Sequence, residues 1–276
     1  MNFVPLALYA VALAAYAWHF AWRNLAVGKT ATTLLLAGAL AHTFVIGMQT
    51  MEAGHVPITS STTAISTFVW LLALAYLYME MTTDERAMGV VVLPLLFGLQ
   101  LIPALNPGVE QRSAVLQGPL FLIHVSSLLF AYASFALACV IGITYVLLFK
   151  EIKAKHLGFF YARLPSLQVL DRMNQRTIAI GWIFLTIGII GGAMFAAEAR
   201  TLASAALDPR VQAMSLADPK IFVALVCWAV YSFEAFAARR IGWGGRRTAY
   251  LSALGFSIVL LNFVPISYFL TESHNF

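Results

Sequence analysis

The chain has 276 residues, of which 61% are hydrophobic and 11% are charged, and its formal net charge is +5. Soluble domains carry about 25% charged residues, so this composition indicates a polytopic membrane protein and excludes a separate soluble domain of ordinary size. The basic residues lie beside apolar runs, where membrane orientation and anionic lipid explain them, and this argues against nucleic-acid binding. We therefore expect a single membrane domain over residues 1–276.

Eight apolar runs are long enough to cross a bilayer as helices. In chain order they cover approximately Phe3–Trp22, Thr30–Gln49, Thr62–Met79, Ala87–Leu105, Pro119–Phe149, Thr177–Ala197, Ile221–Ala238 and Thr248–Leu270. The first run has no basic segment before it and exceeds the core of a signal peptide, so we interpret it as an uncleaved span.

The loops between these runs differ in charge. Thirteen of the 17 Lys and Arg residues lie in the first, third, fifth and seventh loops, and the positive-inside rule places those loops inside. The sequence thus predicts an all-α integral membrane protein, an eight-transmembrane-helix bundle with both termini on the outer side. The fifth loop, residues 150–176, is also amphipathic, and we expect it to lie along the inner membrane surface.

The fifth run, Pro119–Phe149, contains no Asp, Glu, Lys or Arg and carries His124 near its start. An imidazole in such a run must face protein, a cavity or a ligand, because lipid offers its nitrogens no partner. Helical spacing from His124 leads to a stripe of small residues that predicts a packing face, formed by Ser127, Ala131, Ser134 and Ala138.

The second and sixth runs carry polar and small residues at helical spacing. In the second, Gly38 and His42 are four apart, and His42 is equally well interpreted as an interhelical hydrogen-bonding residue or as a ligand. In the sixth, Gly181, Gly188 and Gly192 predict a face that packs closely against another helix.

Several classes of chemistry lack their sequence signals. No nucleophile elbow or phosphate-binding glycine loop is present, and Cys139 and Cys227 form no CxxC pair. An ion transporter would place carboxylates inside the membrane, and the candidate is Glu234 in the seventh run. Because Arg239 and Arg240 follow about one turn later, we favour an interfacial ion pair for Glu234 over a role in transport.

Three histidines remain as candidate ligands on the outer side of the predicted topology: His42, His124 and His274. Haem iron takes neutral imidazoles from opposite faces of the porphyrin, so a pair must come from different segments. His124 with His42, or His124 with His274, could supply that pair. The sequence therefore predicts these three residues as candidate axial ligands of haem iron, within apolar walls that hold the ring.

Four segments also resemble a known family. They read HVPITSSTTAISTFVWLLALAYLYME, IHVSSLLFAYASFALACVIGITYVL, RLPSLQVLDRMNQRTIAIGWIFLTIGIIGGAMFA and ADPKIFVALVCWAVYSFEAFAARRIGWGGRRTAYLSALGF, and cover most of residues 55–256. In order and position they resemble the CcsA/HemX family of membrane haem-handling proteins, linked to cytochrome c assembly. The resemblance implies that His124 and His274 are the external haem ligands and that His42 matches a histidine of HemX-like members. Arg246 and Arg247 look like the family's inner-surface basic motif, which we interpret as an orientation and lipid anchor.

The chain departs from this family in two places. Members that attach haem carry a tryptophan-rich outer segment between spans six and seven, whereas this chain has no tryptophan there and keeps only Asp218, Pro219 and Lys220 of the motif. The histidine expected in span seven is replaced by residues around Glu234 and Phe236. These departures predict a haem-handling or assembly factor rather than a complete haem lyase.

We therefore expect a protein of the bacterial plasma membrane that binds b-type haem non-covalently and delivers haem during cytochrome c assembly. Its expected partners are haem and other membrane proteins of a cytochrome assembly or respiratory system. The alternative belongs to another functional class: a cofactor-free scaffold or regulatory subunit of a larger membrane complex, which would be colourless when purified.

Overall fold

The computed structural model describes residues 1–58, 60–106, 118–155, 158, 161–199 and 219–261. Eight α-helices lie within these ranges: α1 (Phe3–Trp22), α2 (Leu25–Ala53), α3 (Ser61–Thr83), α4 (Gly89–Leu105), α5 (Pro119–Lys153), α6 (Leu167–Ala199), α7 (Pro219–Phe236) and α8 (Arg246–Leu261). A π-helical turn, Ala237–Ile241, follows α7. The described part of the chain contains no strand, so the all-α prediction is confirmed there.

Five of the described helices, α1, α2, α3, α5 and α6, are long and apolar enough to cross a membrane. Helix α4 and the Ile221–Phe236 part of α7 are apolar but shorter. At about 1.5 Å per residue, the 35 residues of α5 exceed the roughly 30 Å of a hydrocarbon layer. The chain is therefore a helical multi-pass membrane protein.

Local hydrogen bonds, and not hydropathy, fix the ends of α2. The Oδ1 of Asn24 accepts from the backbone N–H groups of Ala26 and Val27, at 2.9 and 3.4 Å, so the helix begins before the predicted span. At its other end Gly54 has a φ of 79° and donates its N–H to the carbonyl of Thr50. Glycine adopts this left-handed conformation without strain, which ends the helix there.

Helix α6 begins well before the predicted sixth span, at Leu167. Leu170 and Met173 of its first turns are fully buried in the main core. The expectation that the whole fifth loop lies along the membrane surface is therefore wrong for residues 167–176. Their apolar face packs against the bundle, which buries it more completely than lipid headgroups would.

Helix α5 lies at the centre of the described bundle and packs against α3, α4, α6 and α8. On one side the main core joins it to α1–α4. On the other side a second cluster joins it to α6, α7 and α8, where the rings of Phe135 and Tyr231 stack with centroids 3.6 Å apart. The predicted small-residue stripe faces protein, since all its members are buried: Ser127, Ala131, Ser134 and Ala138.

Candidate functional site

His124 lies on α5 against the glycines of α6. Its Nδ1 is 2.6 Å from the carbonyl oxygen of Gly188. A Cβ added at Gly192 would lie 2.5 Å from the Cε1 of His124 and 2.6 Å from its Nδ1, so glycine is required there for the ring to fit. A Cβ at Gly191 would lie 3.5 Å from the His124 backbone, an ordinary contact. The predicted glycine face of α6 is thus the surface that holds the imidazole.

This contact defines the protonation of the His124 ring. A carbonyl oxygen only accepts hydrogen bonds, so Nδ1 must carry the proton and donate it to Gly188. The neutral ring then keeps its lone pair on Nε2, which is the form that binds a metal. A backbone carbonyl bound to the other ring nitrogen is also a common way of orienting a histidine ligand. The chemistry of this side chain therefore fits axial ligation of haem iron through Nε2.

His42 is fully buried between three helices. Its Nδ1 is 3.1 Å from the hydroxyl of Tyr9 on α1, and its Nε2 is 2.9 Å from the hydroxyl of Ser66 on α3. Both ring nitrogens thus have hydroxyl partners, which fits the interhelical hydrogen-bonding interpretation. The contacts of His42 and His124 go to different helices, and no described contact brings the two rings together.

The remaining predicted ligand, His274, lies outside the described residues. His55, in the loop between α2 and α3, was not predicted as a ligand, yet this side chain is only 6% exposed and its Nδ1 is 3.0 Å from the carbonyl of Val56. Val56 packs against a cluster that contains Phe121 and Phe195 at the ends of α5 and α6. The burial of a loop histidine depends on how the loop folds back on the bundle, and its sequence carries no signal for that.

A buried carboxyl that was not predicted from the sequence lies near the C-terminal end of α3. Glu80 is 1% exposed and accepts a hydrogen bond from the hydroxyl of Tyr16, at 2.7 Å, and another from the hydroxyl of Thr32. These contacts join α1, α2 and α3 through one side chain. The predicted third span ends at Met79, so Glu80 is placed by sequence at a solvated interface, whereas the fold buries it.

Glu234 is also buried, at 1% exposure. Its Oε1 accepts a hydrogen bond of 2.8 Å from Ser252 of α8, and the Ser252 hydroxyl accepts one of 2.9 Å from the amide of Asn174 of α6. Arg240 is exposed and forms no described ion pair with Glu234, and the side chain of Arg239 is not described. The described hydrogen-bond network of Glu234 therefore consists of polar groups of α6 and α8, and an ion pair with Arg239 stays a prediction.

Metal binding by a cluster of protein ligands has no support in the described residues, where no group of three or more His, Cys, Asp or Glu side chains could hold an ion. A single oriented imidazole is nevertheless sufficient on the protein side for one face of a haem, because the porphyrin supplies the equatorial ligands. The described geometry is thus compatible with a haem and not with a closed metal site.

Comparisons with known proteins agree with this architecture. The family model described as cytochrome c assembly protein matches residues 2–274. The chain is 29% identical over 255 residues to a cytochrome c biogenesis protein CcsA of Guillardia theta, with 85% of this chain and 81% of the relative covered. It is 24% identical over an alignment of 304 residues to CcsA of Trieres chinensis, covering 98% and 92% of the two chains, and 26% identical over 271 residues to CcsA of Microcystis aeruginosa, covering 80% and 79%. The chain therefore belongs to the cytochrome c assembly protein family.

Proposed function

We propose that this protein binds haem b non-covalently in the outer half of the membrane and handles haem during cytochrome c assembly. Membership of the family supports the role in assembly. We further propose eight spans with both termini outside, because the basic residues are concentrated in alternate loops. The proposed location is the bacterial plasma membrane. Other membrane proteins of a cytochrome assembly or respiratory system are the proposed partners.

The observation that carries the haem proposal is the orientation of His124. Its Nδ1–H donates to the Gly188 carbonyl at 2.6 Å, which places the lone pair of the neutral ring on Nε2, the atom that would bind iron. Gly192 provides the space that the ring occupies on α6. The residues present thus fit one axial position, and haem held there would supply redox chemistry and the cargo for attachment to a cytochrome.

The second axial ligand is proposed to come from His274, with His42 as the other candidate. Ligation by His42 would require one of its ring nitrogens to leave a hydroxyl, either that of Tyr9 or that of Ser66. Breaking a buried hydrogen bond of this kind costs about 1–3 kcal/mol. The resemblance assigns His274 as an external haem ligand, which favours the pair His124 and His274.

Delivery of haem, and not its covalent attachment, is the proposed activity. The segment between α6 and α7 has no tryptophan, although Asp218, Pro219 and Lys220 of the motif remain where α7 begins. The tryptophan-rich motif is what the resemblance associates with members that attach haem. A chain without it is expected to bind and transfer haem but to need a partner for attachment.

The proposal is tested by a reduced-minus-oxidised visible spectrum of the protein purified in mild detergent, with haem quantified as pyridine haemochrome. Near-stoichiometric haem b is expected in the wild type, and loss of bound haem is expected in His124→Ala. His19→Ala is the matched control, because His19 is not a predicted ligand and its ring contacts the backbone carbonyl of Asn24, just after α1. This variant should keep its haem. A full haem spectrum in His124→Ala would refute the assignment, and a colourless wild type that co-purifies with a partner would favour the scaffold alternative.

A further inference from the structure

A cavity of about 320 Å³ opens at the end of the bundle where α5 finishes and α8 begins. It lies far from His124, which is near the other end of α5. Its walls combine aromatic rings, glycine backbone and two guanidinium groups, contributed by Tyr145, Phe149, Trp243, Gly244, Arg246 and Arg247. None of these side chains takes part in the proposed haem site.

The two arginines of the cavity are held by aromatic rings. The Cζ of Arg246 lies 5.2 Å from the centre of the Phe149 ring, and the Cζ of Arg247 lies 5.1 Å from that of Trp243. Cation–π contacts of this kind orient a guanidinium without using its N–H donors. No described carboxylate pairs with either arginine. Both groups therefore present donors and positive charge to the cavity.

The acidic side chain of Asp171, beside the loop that precedes α8, is already engaged with the backbone and with other side chains. The Oδ1 of Asp171 accepts from the N–H of Gly245 at 2.7 Å and from the hydroxyl of Thr248 at 3.3 Å, and its Oδ2 accepts from the amide of Gln175 at 3.0 Å. This carboxylate thus shapes the loop before α8. Two guanidinium charges less one carboxylate charge leave one positive charge, which matches a singly charged anion such as a phosphodiester.

The exposed surface next to the cavity continues along α8 and is apolar. Tyr250 and Leu254 continue the line of Arg246 at steps of four residues, and their side chains are 53% and 55% exposed. Trp243 and the adjacent arginines are the residue types that lie at the boundary between headgroups and hydrocarbon. An occupant with a phosphate head and an acyl chain therefore matches both parts of this surface.

We propose that this cavity is a binding site for the phosphodiester headgroup of an anionic phospholipid, with Arg246 and Arg247 bound to the phosphate oxygens and an acyl chain along Tyr250 and Leu254. The site is independent of haem. It goes beyond a general basic surface because the arginines are oriented by rings and line one cavity. A free phosphate ion shares the headgroup chemistry but not the contacts along α8.

Native mass spectrometry of the full-length protein tests the proposal, with phosphatidylglycerol and phosphatidylcholine of identical acyl chains as probes. We expect each guanidinium that bonds the headgroup directly to contribute about a fivefold preference, whereas an arginine outside the cavity makes no such bond. Arg246→Gln with Arg247→Gln should therefore lower the preference for phosphatidylglycerol by about 25-fold. The matched control is Arg172→Gln with Arg176→Gln, which removes the same charge from exposed positions of α6 outside the cavity and should change the preference less than twofold.

A second measurement keeps the test valid if the double variant folds poorly. Phosphatidylglycerol with brominated chains should quench tryptophan emission in the wild type, and Trp243→Phe should remove part of that quenching. Equal losses of preference in both arginine pairs, or equal binding of the two lipids by the wild type, would overturn the proposal. Displacement of phosphatidylglycerol by inorganic phosphate or by soluble glycerophosphoglycerol would assign the cavity to a soluble oxyanion and overturn the lipid site.

Discussion

Two adjacent glycines of α6 allow a direct test of how His124 is held. An alanine Cβ at Gly192 would lie 2.5 Å from Cε1 of the imidazole, whereas one at Gly191 would lie 3.5 Å from the backbone of the same residue. Gly192→Ala must therefore displace the ring, and Gly191→Ala need not. Because Gly188 accepts the Nδ1 proton, a displaced ring also loses its 2.6 Å hydrogen bond.

The expected difference between the two variants is about 2 kcal/mol in the free energy of unfolding. Loss of the His124 hydrogen bond costs about 1 kcal/mol, and forcing the ring from its rotamer costs about 0.5–1.5 kcal/mol. Replacing a helical glycine by alanine should itself raise the free energy of unfolding by about 0.5–1 kcal/mol in both variants. Gly192→Ala should therefore be destabilised by about 1 kcal/mol, and Gly191→Ala should be stabilised by up to about 1 kcal/mol.

Denaturant unfolding in detergent measures this difference, and haem content measured on the same samples reports the functional consequence. Gly192→Ala should retain less haem than the wild type, because the Nε2 of His124 would no longer point where the contact with Gly188 directs it. Gly191→Ala should keep its haem. Equal stability and equal haem content in the two variants would refute the argument that the α6 surface positions this imidazole.

Two further predictions concern parts of the bundle outside the haem proposal. Tyr16→Phe removes the hydroxyl that donates to the buried carboxyl of Glu80 at 2.7 Å. It should lower the free energy of unfolding by about 1–3 kcal/mol. An unchanged unfolding midpoint would contradict that contact. Gly245→Ala should be more destabilising than Gly242→Ala, as measured by thermal unfolding. Both glycines have positive φ, 62° at Gly245 and 69° at Gly242. A Cβ at Gly245 would also collide with the hydroxyl of Tyr145, whereas a Cβ at Gly242 meets nothing within 4 Å. Equal effects of the two substitutions would show that backbone strain alone matters.

Hydropathy predicted where helices lie more accurately than where they end. The first predicted span, Phe3–Trp22, has the same bounds as α1 because an apolar run there stops at the exposed Arg23. The sixth span was predicted too short, since residues 167–176 are amphipathic and could equally lie on a membrane surface. The burial of Leu170 and Met173 shows that this segment packs against the bundle and not only against the membrane surface. That burial depends on helices distant in the sequence.

The candidate site was predictable only in part. An apolar run with one histidine implies that His124 faces protein, and the glycine spacing of α6 implies a close contact, but neither shows that the two features meet. The Gly188 carbonyl is a backbone atom and leaves no trace in the sequence. Glu80 was missed for a related reason, because its partners Tyr16 and Thr32 come from two other helices and become neighbours only in the folded bundle.

Four polar side chains of the described bundle divide into two kinds by what they bind. His42, Glu80 and Glu234 each contact side chains of other helices, so their polar atoms stabilise the relative positions of helices. His124 uses Nδ1 on the backbone carbonyl of Gly188, an atom that every residue type would supply at that position. The orientation of the ring therefore depends on no partner side chain at position 188, and the lone pair of the neutral ring lies on Nε2. That property suits a ligand better than a structural contact, and it is the physical reason for assigning function to His124 before the three buried polar residues.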